Sequence, residues 1–228
     1  MSDAGVLSGD ISESFRDFVR DRAFPCVGAK SALSRGTLKV ETCRSITSAW
    51  DDVRIHRELL DWAYAYRDDP TARFLSIAFV FEGPFDLDEK GFETAMWERI
   101  QSLADKDAWL EQPYDRRVSA DPGDPHFSLS FGGEAFFVVG MHPAASRPAR
   151  RFERPVLVFN LHDQFNQLRE DNLYETIRET ILKRDEALAG TLNPMLSRHG
   201  DSSEAQQYSG RHVGEDWQCP FRDKRDMA

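Results

Sequence analysis

The sequence predicts an α+β fold: a single domain with a mainly antiparallel sheet, helices packed on it, and an ordered irregular C-terminal segment wrapping the core. Three observations carry this reading. The expected elements run helix, helix, strand, helix, strand, strand, strand, helix, so a set of strands follows in series with no helix between them. No break in composition divides the 228 residues into two units, so the domain is expected to span 1–228, ordered from about residue 10 to about 222 with short flexible termini. Finally, residues 193–221 lose apolar periodicity yet keep Met195, Leu196, Tyr208, Val213, Trp217 and Phe221, which a solvated tail rarely carries. Long ordered loops of this kind tend to be functional.

Each element rests on local signals. "DISESFRDFVRDR" (10–22) places Ile11, Phe15, Phe18 and Val19 at helical spacing behind Asp10 as cap. Pro25 ends that helix by pushing Phe24 into an extended backbone. Residues 47–67 form a longer helix, capped by Thr47 or Ser48, with Trp50, Val53, Leu60 and Tyr64 on or near one face. "RFLSIAFVFEGP" (73–84) is a strand closed by a Gly-Pro turn. Residues 88–105 return to helix through Phe92, Met96, Ile100 and Leu103. "HFSLSF" (126–131) alternates like a half-buried strand, and Gly132-Gly133 turns it into a second strand over 134–140. "PVLVFNLH" (155–162) is another apolar strand, and 163–188 is helical with a break near Asn172.

Composition removes several classes of function. Apolar content of 40% and charged content of 30% are those of a soluble globular protein. With 39 Asp and Glu against 29 Lys and Arg, the net charge of -10 argues against nucleic acid as a main partner, because neutralising phosphates needs surplus cations. Cys26, Cys43 and Cys219 are too few and too scattered for a disulfide framework or a zinc knuckle. The N-terminus has no basic start and no apolar run, and no stretch is long enough to span a membrane. The expected location is the cytoplasm, with reduced thiols and no membrane partner. No GxSxG, Walker A or GxGxxG sequence is present, so hydrolase, nucleotide and dinucleotide readings lose their usual supports. The histidines His56, His126, His142, His162, His199 and His212 form no HxH or HxxxH pair.

Chemistry concentrates in "FFVVGMHPAASRPARRF" (136–152), where an apolar strand ends in His142-Pro143 and is followed by Arg147, Arg150, Arg151 and then Arg154. Pro143 restricts the backbone of His142, which gives a fixed imidazole at a sheet edge. Such a ring either bonds locally or ligates a metal or haem iron. The arginines either face solvent or clamp an anion, since their forks match carboxylates and phosphates. Cys26 in "FPCVGAKSA" and Cys219 in "WQCPF" are either inert buried thiols or thiolate ligands. Glu204 in "SSEAQQYSGR" either caps a turn or meets a cationic substrate.

Four blocks in one order, "FPCVGAKSA", "GMHPAASRPARRF", "NPMLSRHGDSSEAQQYSGR" and "WQCPF", resemble the signature of the YqcI/YcgG family over residues 14 to 222. Some members of that family are similar to haem-dependent N-hydroxylases, including those acting on the guanidino group of arginine in cycloserine biosynthesis and of a modified arginine in guanitoxin biosynthesis. The resemblance therefore implies an O2-using haem b monooxygenase, an oxidoreductase that N-hydroxylates a guanidino or related amine nitrogen. An external electron donor is implied too, because no flavin or iron–sulfur signature is present. Joined to the strand-end placement, the need for haem makes His142 the expected axial ligand, with Cys26, Cys219 and His212 as alternatives. Arg147, Arg150 and Arg151 would pair the propionates. Glu204 and Asp216 would meet the substrate cation, with Phe24 and Trp217 as apolar wall. A non-catalytic haem or small-ligand binding protein, such as a sensor or carrier, is the reading from another class. A haem-free enzyme of different activity is a third.

Overall fold

Among the residues described by the computed structural model (4–71, 73–193, 195, 200–214 and 216–225), one five-stranded sheet organises the chain. Its strands are β1 (Leu38–Ser45), β2 (Ser76–Gly83), β3 (Leu129–Phe131), β4 (Glu134–Met141) and β5 (Val156–Leu161), in the order β1-β2-β5-β4-β3. The β1–β2 pair is parallel and every other pair is antiparallel, as in Phe79↔Leu157 and Val138↔Phe159. Helices α1 (Ala4–Arg20), α2 (Val27–Arg35), α3 (Asp52–Asp68), α4 (Glu89–Trp109), α5 (Asp163–Glu170), α6 (Tyr174–Ala189) and α7 (Ala205–Tyr208) complete the α+β architecture. Leu196 and His199 lie outside the described residues.

Strand alternation sorts the side chains into two cores. Ile77, Phe79 and Phe81 of β2, Phe136 and Val138 of β4, and Leu157, Phe159 and Leu161 of β5 pack against α3 and α4. Their neighbours Ala78, Val80, Val139, Met141, Val156 and Val158 pack toward α1 and α2. Both faces are covered, which is why β2 and β5 read as unbroken apolar runs.

Most of the expected elements appear. Ile11, Phe15 and Val19 are buried as their spacing implies, although α1 starts at Ala4, so Asp10 lies within the helix rather than capping it. Phe92, Met96, Ile100 and Leu103 are fully buried, and Asp88 caps α4 by accepting the Gly91 N–H at 2.7 Å. Ser48 caps the short 3-10 turn leading into α3. The face drawn through Trp50 and Val53 is a correction: these side chains are 74% and 71% exposed, and α3 buries Ile55, Leu59, Ala63 and Tyr66 instead. The Gly132-Gly133 hairpin forms with φ of +60° and +84°, values open to glycine. Three elements, α2, β1 and the short α7, have no counterpart in the sequence reading.

The C-terminal segment is ordered and largely irregular. Its Tyr208 and Phe221 enter the core beside Trp97 and Phe127, with ring centroids 5.9–6.4 Å apart. Arg225 then reaches between α4 and the β3–β4 hairpin to bond Asp107 at 2.8 Å. None of the described helices is long and apolar enough to cross a membrane.

One glycine records how closely the segment sits on the sheet. A Cβ on Gly140 would lie 2.8 Å from Phe92 Cε1 and 3.0 Å from the Tyr208 carbonyl oxygen. Gly140→Ala should therefore cost about 1–3 kcal/mol through overpacking. Thermal unfolding would register this as a melting point lowered by several degrees; an unchanged melt would show that α4 and the segment can yield.

Candidate cofactor and substrate cavity

On the α1/α2 side of the sheet lies a cavity of about 310 Å³, within the range of small-molecule pockets. Its floor is the face of β4 carrying Phe137, Val139 and Met141, with Val158 and Asn160 of β5. Phe15 and Val19 of α1, Phe24 and Leu38 form one wall. The opposite wall is α6, which presents Tyr174, Ile177, Arg178, Ile181, Leu182 and Asp185. These follow helical spacing, so one face of α6 is dedicated to the cavity.

Cys26 opens into this space at the start of α2. Its Sγ caps the helix, accepting the Ala29 N–H at 3.4 Å. Burial pushes the Cys26 thiol up, while the N–H groups of Ala29 and Gly28 and the charge of Arg150 pull it back. A sulfur held by backbone N–H donors at a helix N-terminus and facing a cation is suited to bind as thiolate.

Arg150 supplies that cation. It borders the cavity and is half-buried. It donates to the carbonyls of Gly140 (2.9 Å), Tyr208 (3.2 Å) and Gln207 (3.3 Å), and no ion pair with it occurs among the described residues. Burial pushes its pKa down to about 10, partly offset by Asp185 and Cys26. A half-buried guanidinium bonded to carbonyls alone keeps its full charge and attracts an anion.

Arg147 also lines the cavity, but its guanidinium is bonded to Asp185 and to the hydroxyl and carbonyl of Thr191, which ties the 146–151 loop to α6. Two cavity arginines escaped the sequence reading. Arg178 has no hydrogen bond or ion pair among the described residues, and Arg169 bonds Asn166 and stacks over Tyr174 at 4.4 Å.

A polar end closes the cavity. Glu204, buried, bonds His162 Nε2 through Oε1 at 3.1 Å and accepts the Tyr208 hydroxyl on Oε2 at 3.2 Å. Burial and the nearby Glu204 charge hold the Tyr208 hydroxyl well above its ordinary pKa, so it remains a donor. Ser76 and Asn160 bond each other at 2.7 Å along the same floor.

The structure thus brings Cys26, Phe24, Arg147, Arg150 and Glu204 to one cavity, and other candidates lie elsewhere. His142, the expected ligand, does not line this cavity. Because Met141 faces the cavity, its strand neighbour points to the opposite face, where the His142 ring stacks on Phe92 at 4.3 Å between centroids. The His142 Nδ1 has no hydrogen-bond partner among the described residues, and burial lowers its pKa, keeping it neutral. Cys219 packs against the α3/α4 core, where burial pushes its thiol up to about 12. His212 and Asp216 are exposed, and Trp217 packs against Trp97. Arg151 bonds the carbonyls of Ala145 and Ser146, and Arg154 lies over Phe85; neither lines the cavity.

A single α+β domain with one apolar cavity wall, a helix-capping cysteine and a buried carboxylate defines the class of fold and site. The chain belongs to the YqcI/YcgG family, whose model matches residues 15–222. No curated protein and no solved structure matches it.

Proposed function

We propose that the chain is a haem-dependent, O2-using N-hydroxylase acting on the guanidino group of a small substrate, with haem b in the cavity and Cys26 as its protein ligand. The observation that carries this reading is Cys26 Sγ on an apolar cavity wall, at a helix N-terminus, near the half-buried Arg150 cation. Among the described residues no group of three or more His, Cys, Asp or Glu could hold a bare metal ion, whereas a porphyrin brings four of its iron's ligands and asks one of the protein. The residues present fit that group.

When bound, haem supplies oxygen activation, fed by an external electron donor. The protein's own part is binding, orientation and proton handling. Arg178, Arg169 and Arg150 are the cavity cations suited to the propionates. Phe24, Phe15 and Val139 exclude water from the flat apolar faces. Glu204 is a buried carboxylate bordering the cavity, oriented by His162 and Tyr208, whose charge suits a guanidinium.

The test is direct. Protein expressed with a haem precursor should show a Soret band and, given a reductant and oxygen, convert arginine or a related guanidine to a product one oxygen heavier. A Soret band with no product from any guanidine would leave a binding protein; no Soret band would remove haem. Glu204→Gln keeps the shape but removes the charge, and should raise KM about 10- to 100-fold, the worth of a charge-assisted hydrogen bond. An unchanged KM would move the substrate cation elsewhere.

A further inference from the structure

We infer that α6 is a lid over the cavity, pivoting at Asn172 and Gly190 and latched by the Arg147–Asp185 pair, so that breaking the latch widens the way to Cys26. The helix presents Tyr174, Ile177, Arg178, Ile181, Leu182 and Asp185 to the cavity. Of these six Asp185 alone is buried, and Ile177, Ile181 and Leu182 are half-buried. The contrast is α4, whose Phe92, Met96, Ile100 and Leu103 are fully buried in the sheet core. An apolar stripe that faces open space lacks partner atoms there, so it holds its helix down less firmly than a packed one.

Both ends of α6 turn at an exposed residue of left-handed conformation. Asn172, between α5 and α6, has a φ of +58°, and its N–H donates to the Arg169 carbonyl at 3.0 Å. Gly190 has a φ of +75° and ends the helix with its N–H on the Glu186 carbonyl at 2.7 Å. A Cβ at Gly190 would meet nothing within 4 Å, so the glycine answers to backbone conformation and not to packing. Hinged motions concentrate at such element ends, where a few residues absorb the change in φ and ψ.

The latch spans the second hinge. Arg147 donates to the Asp185 carboxylate on the helix side of Gly190, and to the Thr191 hydroxyl and carbonyl, both at 3.0 Å, on the far side. One guanidinium therefore fixes the angle of the chain at Gly190. Asp185 is buried, so without its cation the carboxylate is driven toward water and the helix end with it. The 146–151 loop is the fixed post: Arg151 holds the Ala145 carbonyl at 2.8 Å, and Arg150 holds that of Gly140 in the sheet at 2.9 Å. At the other end, Arg169 of α5 lies 4.4 Å over the Tyr174 ring, which keeps the start of α6 beside its pivot while the C-terminal half swings.

A ligand seated between the sheet and α6 would touch Ile177, Arg178 and Ile181 as well as the floor. Those contacts exist only with the helix down, so binding and closure favour each other. The lid is independent of what the cavity takes, and the oxygenase reading can fail without it.

Two measurements on the full chain, with no ligand added, test this. In the wild-type protein, hydrogen exchange read by mass spectrometry should show the α6 amides exchanging about 10-fold faster than those of α4, through local opening. Amides of α6 as slow as those of α4 would overturn the lid. The second measurement follows labelling of Cys26, resolved by peptide, as the ratio of its rate with fluorescein maleimide to its rate with the small N-ethylmaleimide. Any change in thiolate fraction cancels in that ratio. Arg147→Met and Asp185→Asn should each raise it about 10-fold, the worth of a charge-assisted hydrogen bond. Arg154→Met, which alters a bond to the Glu82 carbonyl, should leave it unchanged. A ratio unmoved in both latch variants, or raised equally by Arg154→Met, would overturn the latch. Should a latch variant fail to fold, exchange in the wild-type protein decides.

Discussion

Cys26→Ala should abolish the red-shifted ferrous–carbonyl absorbance that marks a thiolate-ligated haem, and reduce turnover by at least about 100-fold, ~2.7 kcal/mol of barrier. The expectation follows from one sulfur: Cys26 lines the cavity, and its Sγ accepts a backbone N–H from the first turn of α2. His142→Ala is the paired control. Its ring stacks on Phe92 across the sheet, so the haem spectrum should survive that substitution while some packing stability is lost. The reverse pattern, with the spectrum lost in His142→Ala and kept in Cys26→Ala, would sink the assignment. A pH dependence accompanies it. Burial pushes the free thiol above its ordinary value, so it is protonated in the empty cavity at neutral pH and ligation must release that proton. Haem retention should accordingly strengthen as pH rises and weaken as it falls, read as Soret absorbance remaining after gel filtration.

Arg225→Met should lower stability by about 3 kcal/mol, the cost of leaving a buried carboxylate without its cation. Asp107 is fully buried and accepts from Arg225 (2.8 Å), His56 Nε2 (2.8 Å) and the Gly132 N–H (3.2 Å). Arg225 is the full positive charge in that set; it also bonds Asp223 and the Ser130 carbonyl and lies 4.4 Å over the Tyr114 ring. At this chain length the loss corresponds to a melting point lower by about 6–12 °C. A melt within a degree of wild type would mean that His56 and Gly132 suffice.

The sheet core and the α4 stripe were legible because Phe92, Met96, Ile100 and Leu103 keep one helical face and Gly132-Gly133 admits a tight hairpin. Phe221 and Tyr208 likewise betrayed an ordered C-terminal segment. β1 was not legible: Lys39 and Glu41 interrupt its apolar positions, as edge strands commonly allow. α2 is short, and Pro25 just before it reads equally well as a break. The His142 position shows a sharper limit. Alternation along β4 is plain, yet both faces are apolar, so nothing local says which one borders a cavity. The His162–Glu204 pair spans 42 residues, and no spacing rule joins positions that meet only through the fold.

The last stretch of the chain links two layers that otherwise have little to do with each other. Glu204 closes the cavity on one side of the sheet, and Arg225 is plugged in beside α4 on the other. Removing the anchor at Arg225 should thus reach the ligand pocket by loosening the strap that carries Glu204. A preparation clipped before Arg225 would lose substrate affinity before it lost its secondary structure.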